Sequence, residues 1–129
     1  MKEKRKGILI VDDDMLLSMV YERQIEKLGF EALDRIVDGE TAISAAKDLK
    51  PDLILMDIVL KGNIDGVEVM KKIREFSEVP VIYITGNSDK FNAERAKETD
   101  YIDFLVKPIT MNDLQKSVDK VLGSKGNES

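Results

Sequence analysis

Acidic, hydroxyl and amine side chains follow four of the short apolar runs in this chain of 129 residues. Asp12 and Asp13 end the first run, Asp57 ends another, and Thr85 and Lys107 end two more. Taken singly, an acid in this position is usually a turn residue or a helix cap. Thr85 alone would be interpreted as a turn hydroxyl, and Lys107 alone as a solvated amine. Their joint occurrence at strand ends indicates a site.

The acids are crowded enough to need a cation. Like charges about 4 Å apart repel by roughly 4 kcal/mol at an effective dielectric near 20, which implies a metal ion, a lysine or both. Mg²⁺ takes one or two carboxylates with waters and phosphate oxygens, and a carboxylate can also be a nucleophile. Lys107 and Thr85 could hold the oxygens of a transferred phosphoryl group. The set therefore suits phosphoryl transfer to a carboxylate.

Composition excludes several other kinds of chemistry. The chain has neither cysteine nor histidine, which rules out disulfides, thiolate sites, imidazole-based zinc sites and histidine bases. A hydrophobic fraction of 43% can fill one core, and a net charge of −5 argues against direct nucleic-acid binding. Apolar runs are of strand length and the start lacks a signal-peptide pattern, so we expect a cytoplasmic protein that does not bind membranes.

Strand-like runs alternate with amphipathic stretches along the chain. The runs span residues 7–11, 31–37, 53–56, 79–84 and 102–106. Apolar stripes at helical spacing lie between or after them: Leu17, Val20, Tyr21 and Leu28 before Gly29; Ala42, Ala45, Ala46 and Leu49 before Pro51; Val67, Met70 and Ile73; and Leu114, Val118, Val121 and Leu122 between Thr110 and Gly123. The stretch 88–100 is the weakest helix, because only Phe91, Ala93 and Ala96 offer an apolar face.

This alternation predicts an α/β domain with a mostly parallel sheet covered on both faces. Five strand–helix units fit the length and favour a doubly wound sheet, whose binding crevice lies at the carboxyl ends of the strands. We expect residues 1–123 to form this domain. Residues 124–129 have linker composition and are expected to be a flexible tail or the start of a linker.

Five segments together carry a resemblance to a known family. They are Ile8-Leu9-Ile10-Val11-Asp12-Asp13, Pro51-Asp52-Leu53-Ile54-Leu55-Met56-Asp57, Asp65-Gly66, Pro80-Val81-Ile82-Tyr83-Ile84-Thr85-Gly86 and Phe104-Leu105-Val106-Lys107-Pro108. Over roughly residues 6–122 the chain resembles a response-regulator receiver domain of two-component signalling, similar to the single-domain chemotaxis regulator. The resemblance implies a flavodoxin-like fold, with five parallel strands in the order 2-1-3-4-5 and five helices.

The resemblance also implies roles for the residues at the strand ends. Asp57 would be the phosphoacceptor, receiving its group from a phosphohistidine of a sensor histidine kinase or phosphotransfer protein. Mg²⁺, or Mn²⁺, would be held by Asp12, Asp13, Asp57 and the backbone carbonyl of Val59. Asp14 has no family role, and we expect it to cap the first helix.

The phosphoryl oxygens would be held by Thr85 and Lys107, with small Gly86 leaving room for the incoming group. Phosphorylation would draw Thr85 toward the acceptor and let Phe104 fill the space left, which changes the surface around the fourth helix. From the residues alone, Phe104 fits an ordinary core ring equally well. The Lys107–Pro108 peptide would be cis. We expect an acceptor that gains and loses its own phosphoryl group rather than a turnover enzyme, either a monomer or a phosphorylation-dependent dimer, with an output partner that is unknown.

Two departures from the family pattern affect the acceptor loop. The loop after Asp57 is one residue longer than in many relatives and lacks their Met-Pro turn, so Gly62 and Asn63 are expected to supply the turn. Val59 is apolar where relatives are often polar. An apolar Val59 would position no attacking water and predicts slow loss of the phosphoryl group, which Asn87 could offset.

Two other functions stay open on the sequence. Asp12-Asp13-Asp14 has the acid-any-acid pattern of a haloacid-dehalogenase-like phosphatase, in which Asp12 would be the nucleophile and Asp14 the acid. The chain is short for that family and shows no cap segment. The other alternative is a receiver-like module that binds a partner without being phosphorylated.

Overall fold

Five strands alternate with five helices in the computed structural model, which describes residues 5–86 and 90–123. The strands are β1 (Gly7–Val11), β2 (Glu31–Ile36), β3 (Leu53–Met56), β4 (Val81–Thr85) and β5 (Asp103–Val106). The helices are α1 (Met15–Lys27), α2 (Gly39–Leu49), α3 (Gly66–Ile73), α4 (Lys90–Lys97) and α5 (Met111–Leu122). The predicted strands are all present, although β4 begins two residues later than expected. The expected tail at 124–129 lies outside the described residues.

All four strand pairings are parallel, and the order is β2-β1-β3-β4-β5. Strands covered on both faces are near-continuously apolar, as β1, β3 and β4 are, and every residue of these three is buried. The predicted fold class and strand order are therefore confirmed.

Alternate strand residues point to opposite faces of the sheet and enter two separate cores. On one face Leu9 and Val11 join residues of α2, α3 and α4, whereas on the other Ile8 and Ile10 join residues of α1 and α5. None of the described helices is both long and apolar enough to cross a lipid bilayer.

The expected helix ends are largely confirmed. Asp14 caps α1 by accepting from the N–H groups of Leu16 and Leu17, and Thr110 caps α5 in a capping box with Asp113. Three members of the predicted apolar stripes are wrong, because Val20 is 45%, Leu49 42% and Phe91 72% exposed.

Candidate functional site

The three candidate metal ligands meet because β1 and β3 are neighbours that end side by side. Val11 pairs with Met56, and the next backbone N–H, that of Asp57, donates to Val11 O at 2.8 Å. Asp12 and Asp13 continue directly from β1, so carboxylate oxygens of all three acids lie within 4.8 Å of one another. Asp12 and Asp57 are buried and Asp13 is half-buried.

Lys107 brings an ammonium group into the same cluster from the end of β5. Its Nζ lies 2.8 Å from Asp57 Oδ2 and 3.0 Å from Asp12 Oδ2. Its backbone N–H donates to Thr85 O at 2.8 Å, which fixes the position from which the side chain starts. The Lys107–Pro108 peptide is cis, the geometry that the resemblance implies.

The charges of the cluster do not cancel. Burial raises the pKa of Asp12, against the lowering effect of hydrogen bonds from the Asp14 N–H and from Lys107. Burial alone would lower the pKa of Lys107, but its hydrogen bonds to Asp57 and Asp12 raise that pKa above the ordinary lysine range. With all groups ionised, three carboxylates and one ammonium leave a formal charge of −2. The cluster can therefore accept a divalent cation in addition to its lysine.

Asp14 and Val59 support the site through their backbones. Asp14 donates its N–H to Asp12 Oδ1 at 2.8 Å, while its own carboxylate accepts from Leu16 and Leu17 as the cap of α1. Val59 donates its N–H to Asp57 Oδ1 at 3.3 Å, and its side chain is 53% exposed. Because the Asp14 carboxylate caps α1, the structure argues against Asp14 as the catalytic acid of a phosphatase.

The long loop after Asp57 is anchored at both ends. Lys61 donates its N–H to Val37 O at 3.1 Å and forms an isolated parallel β-bridge with Asp38. Gly62 has the left-handed φ of 97° that supplies the expected turn. Gly66 donates its N–H to Ile58 O at 2.7 Å. A Cβ at Gly66 would lie 2.1 Å from the backbone oxygen of Asp57, so only glycine fits there.

The residues expected to bind the phosphoryl group and to switch lie at the ends of β4 and β5. Thr85 is fully buried at the end of β4. A Cβ at Gly86 would meet no described atom within 4 Å. Phe104 is half-buried, and its ring centroid lies 5.8 Å from those of Tyr83 and Tyr101. Asn87 lies outside the described residues.

Sequence reasoning missed two features near the site. Tyr21, interpreted only as part of an apolar stripe, lines a small space together with Asp12 and Asp57, and burial raises its pKa to about 12. The helical spacing of Tyr21 does not indicate that it lies beside these acids. The second feature is an ion pair between Asp65 and Arg95. Asp65 could have been recognised as a helix cap, because Glu68 follows at capping-box spacing.

These elements define a doubly wound domain with an acidic pocket, at the carboxyl edge of its sheet, that also contains a lysine. The sequence model of the response regulator receiver domain matches residues 8–119. The chain belongs to this family, the receiver domains of two-component response regulators.

Curated relatives are longer than this chain. The DNA-binding response regulator MtrA of Mycobacterium bovis is 32% identical over 114 residues, which are 88% of this chain and 49% of that protein. The transcriptional regulatory protein PdtaR of Mycobacterium tuberculosis is 29% identical over 88% of this chain and 55% of its own length. The chain thus spans about half the length of these relatives.

Solved structures show the same fold. The signal receiver domain of a modulated diguanylate cyclase from Desulfovibrio desulfuricans is 34% identical with a TM-score of 0.85, over 92% of this chain and 94% of that one. A two-component response regulator from Clostridium difficile is 29% identical with a TM-score of 0.85, over 92% of this chain and 96% of that one.

Proposed function

We propose that the chain is a phosphorylation-dependent switch in which Asp57 accepts a phosphoryl group from a phosphohistidine. The donor is a sensor histidine kinase or a phosphotransfer protein. The observation that carries the proposal is the buried Asp57 carboxylate, with Lys107 Nζ at 2.8 Å and oxygens of Asp12 and Asp13 nearby. We also propose that the chain acts in the cytoplasm, as the sequence predicts.

In the transfer, a carboxylate oxygen of Asp57 attacks phosphorus as the phosphorus–nitrogen bond of the donor breaks. The bonding pair leaves with the imidazole nitrogen, and an acyl phosphate forms on Asp57. Lys107 bridges Asp57 and Asp12 before transfer and offers its ammonium to a phosphoryl oxygen. Thr85, at the end of the neighbouring strand, holds another oxygen, and Gly86 leaves space beside it.

The donor set fits a hard divalent cation. Asp12, Asp13 and Asp57 offer carboxylate oxygens within 4.8 Å of one another, and the Val59 carbonyl belongs to the loop that is tied to Asp57. We assign Mg²⁺, or Mn²⁺, to these four residues. When bound, it neutralises negative charge on the phosphoryl oxygens.

The output follows from the placement of the switch residues. Movement of Thr85 toward the phosphoryl group opens space near the aromatic cluster of Tyr83, Tyr101 and Phe104, and Phe104 is the ring that moves. The chain loses its phosphoryl group by hydrolysis and is not a turnover enzyme. Its output partner recognises the changed surface, and the chain acts as a monomer or as a dimer formed on phosphorylation.

Incubation with acetyl phosphate and Mg²⁺, followed by intact-mass measurement, tests the acceptor. The wild type should gain one phosphoryl group and Asp57→Asn should gain none. Asp52→Asn is the matched control, because Asp52 precedes the same strand at its opposite end and accepts from the Gly7 N–H. Modification of Asp57→Asn would overturn the assignment, and loss of modification in Asp12→Asn with Asp57→Asn still modified would favour the phosphatase. A wild type that gains nothing would favour the unphosphorylated binding module.

The lifetime of the phosphoryl group tests the proposed effect of Val59. Its exposed apolar side chain can neither donate nor accept a hydrogen bond to an attacking water. Val59→Asn should therefore accelerate loss of the group, measured from the decay of the phosphorylated mass after the donor is removed. Val59→Leu is the matched apolar control, and equal decay in all three proteins would contradict this role.

A further inference from the structure

Helix α4 has little apolar anchoring to the rest of the domain. It buries only Ala96, whereas α3 on the same face buries five residues, and Phe91 of α4 is largely exposed. Buried apolar area is what ordinarily fixes a helix on a sheet. The position of α4 therefore depends on polar contacts to an unusual degree.

Among the described residues, an ion pair with two hydrogen bonds joins the body of α4 to the start of α3. Arg95 Nη1 lies 2.8 Å from Asp65 Oδ2, and Nη2 lies 3.1 Å from Asp65 Oδ1. Two parallel charge-assisted hydrogen bonds from a planar guanidinium restrict orientation as well as distance. Both side chains are about three-quarters buried, with 21% and 30% exposed. Nη1 also donates to Asn92 Oδ1 at 2.8 Å, which holds the guanidinium within its own helix.

The Asp65 end of this pair is fixed to the acceptor segment. Asp65 caps α3 in a reciprocal capping box with Glu68. The next residue, Gly66, is bonded to Ile58 O and lies against the backbone oxygen of Asp57. Displacement of Asp65 would therefore disturb the backbone around Asp57.

The chain after α4 is fixed separately, to β4 and to the end of α3. The hydroxyl groups of Thr99 and Tyr83 are 2.7 Å apart, and Arg74 Nε donates to Thr99 O at 2.9 Å. With Thr99 fixed, α4 can be displaced mainly by pivoting about this end. The Asp65–Arg95 pair opposes such a pivot, since its two parallel hydrogen bonds tolerate little change in distance or angle.

We propose that the Asp65–Arg95 pair holds α4 in the arrangement in which Lys107 contacts the Asp57 carboxylate, and so opposes the displacement of α4 that accompanies phosphorylation. The inference rests on the proposed function for its signalling consequence. Its structural part, that the pair restrains α4, stands on the contacts alone. The pair thereby sets how readily the acceptor switches.

Amide hydrogen exchange tests the structural part without any phosphoryl donor. Arg95→Met keeps the side-chain stem but removes the donors, and Asp65→Asn keeps the helix cap but removes the charge. Each variant should exchange the amides of residues 90–97 about fivefold faster, with α5 unchanged, as expected for loss of a partly buried ion pair. Lys71→Met is the matched control, because it removes a more exposed ion pair, Lys71–Glu98, between the same two regions. Equal exchange in wild type and both variants would overturn the restraint.

Titration with beryllofluoride and Mg²⁺ tests the signalling part. Each single variant should bind about threefold more tightly than the wild type, and the double variant Asp65→Asn/Arg95→Met should gain little beyond either, because the same pair is lost. A wild type that binds no beryllofluoride would count against the proposed function itself. A wild type that binds, with variants of unchanged affinity, would overturn only the role of the pair in switching.

Discussion

Helices α4 and α5 precede and follow the same edge strand, β5, yet they are held by different means. Helix α5 buries Leu114, Ser117 and Val118 and begins with a capping box. Helix α4 buries only Ala96 and is held by Arg95. Apolar packing is tolerant of direction but costly to undo, whereas an ion pair is directional and readily exchanged for water.

The difference separates the rigid parts of the domain from the parts that can move. The acids and Lys107 follow strands that are paired within the sheet, so their mutual geometry is fixed by backbone hydrogen bonds. The surface beside them is formed by a helix with few apolar contacts. In the proposed switch, the charge added at Asp57 displaces α4 without unfolding the domain.

Truncation of one apolar side chain in each helix should give the largest contrast. Leu114→Ala removes a fully buried side chain from α5 and should lower the free energy of unfolding by about 3.5 kcal/mol. Phe91→Ala removes a ring that is mostly in solvent and should change that free energy by less than about 0.5 kcal/mol. Urea unfolding measures both, and a large loss in Phe91→Ala would contradict the contrast.

Two glycines at the edge of the site should differ by a somewhat smaller amount. Gly66→Ala places a Cβ against the backbone oxygen of Asp57 and should lower the free energy of unfolding by about 2.5 kcal/mol. It should also weaken beryllofluoride binding, since Asp57 must shift. Gly86→Ala is the control, because its Cβ meets no described atom, and its stability should match that of the wild type. Equal stability of the two variants would show that the acceptor backbone is less rigid than the contacts indicate.

Removing one buried hydroxyl tests how firmly the end of α4 is held. Tyr83→Phe loses the hydrogen bond to Thr99 and should lower the free energy of unfolding by about 1 kcal/mol. Tyr21→Phe is the control, because the Tyr21 hydroxyl has no hydrogen-bond partner among the residues that the structure describes. Thermal unfolding should separate the two variants, and identical midpoints would argue against an anchoring role for Tyr83.

The smallest expected effect is the pH dependence of the ion pair that holds α4. Burial raises the pKa of Asp65, but hydrogen bonds from Arg95 and from the Glu68 N–H outweigh it and lower that pKa. Because this pKa is lowered, the charged Asp65 carboxylate stabilises the fold at pH values above the ordinary aspartate pKa. This stabilisation is lost as the pH falls through the lowered pKa. At neutral pH, the free energy of unfolding of the wild type should exceed that of Asp65→Asn by about 0.7 kcal/mol, after allowance for solvent screening. Urea unfolding at decreasing pH should show this difference becoming smaller. A difference that does not change with pH would show that it comes from the helix cap rather than from the ion pair.

Much of the site could be predicted because its residues follow strands directly. The apolar runs fix where Asp12, Asp13, Asp57 and Lys107 leave the sheet and place Thr85 at the end of its strand, and parallel strands end on one edge. Tyr21 and Arg95 could not be placed in this way, because a helical residue is positioned by the packing of its whole helix. The exposure of Phe91 was mispredicted for the same reason.

The sequence by itself determined the element order, the fold class and the residues with reactive side chains, since these follow from apolar periodicity and from motifs at strand ends. Only the tertiary structure decided which side chain of the protein supplies positive charge beside the acids. Lys107 lies fifty residues from Asp57 in the chain, yet its ammonium contacts both Asp57 and Asp12. Tertiary structure likewise decided that α4 is held by Arg95 and Asp65 rather than by its apolar residues, because long-range contacts between side chains depend on the packing of every element between them.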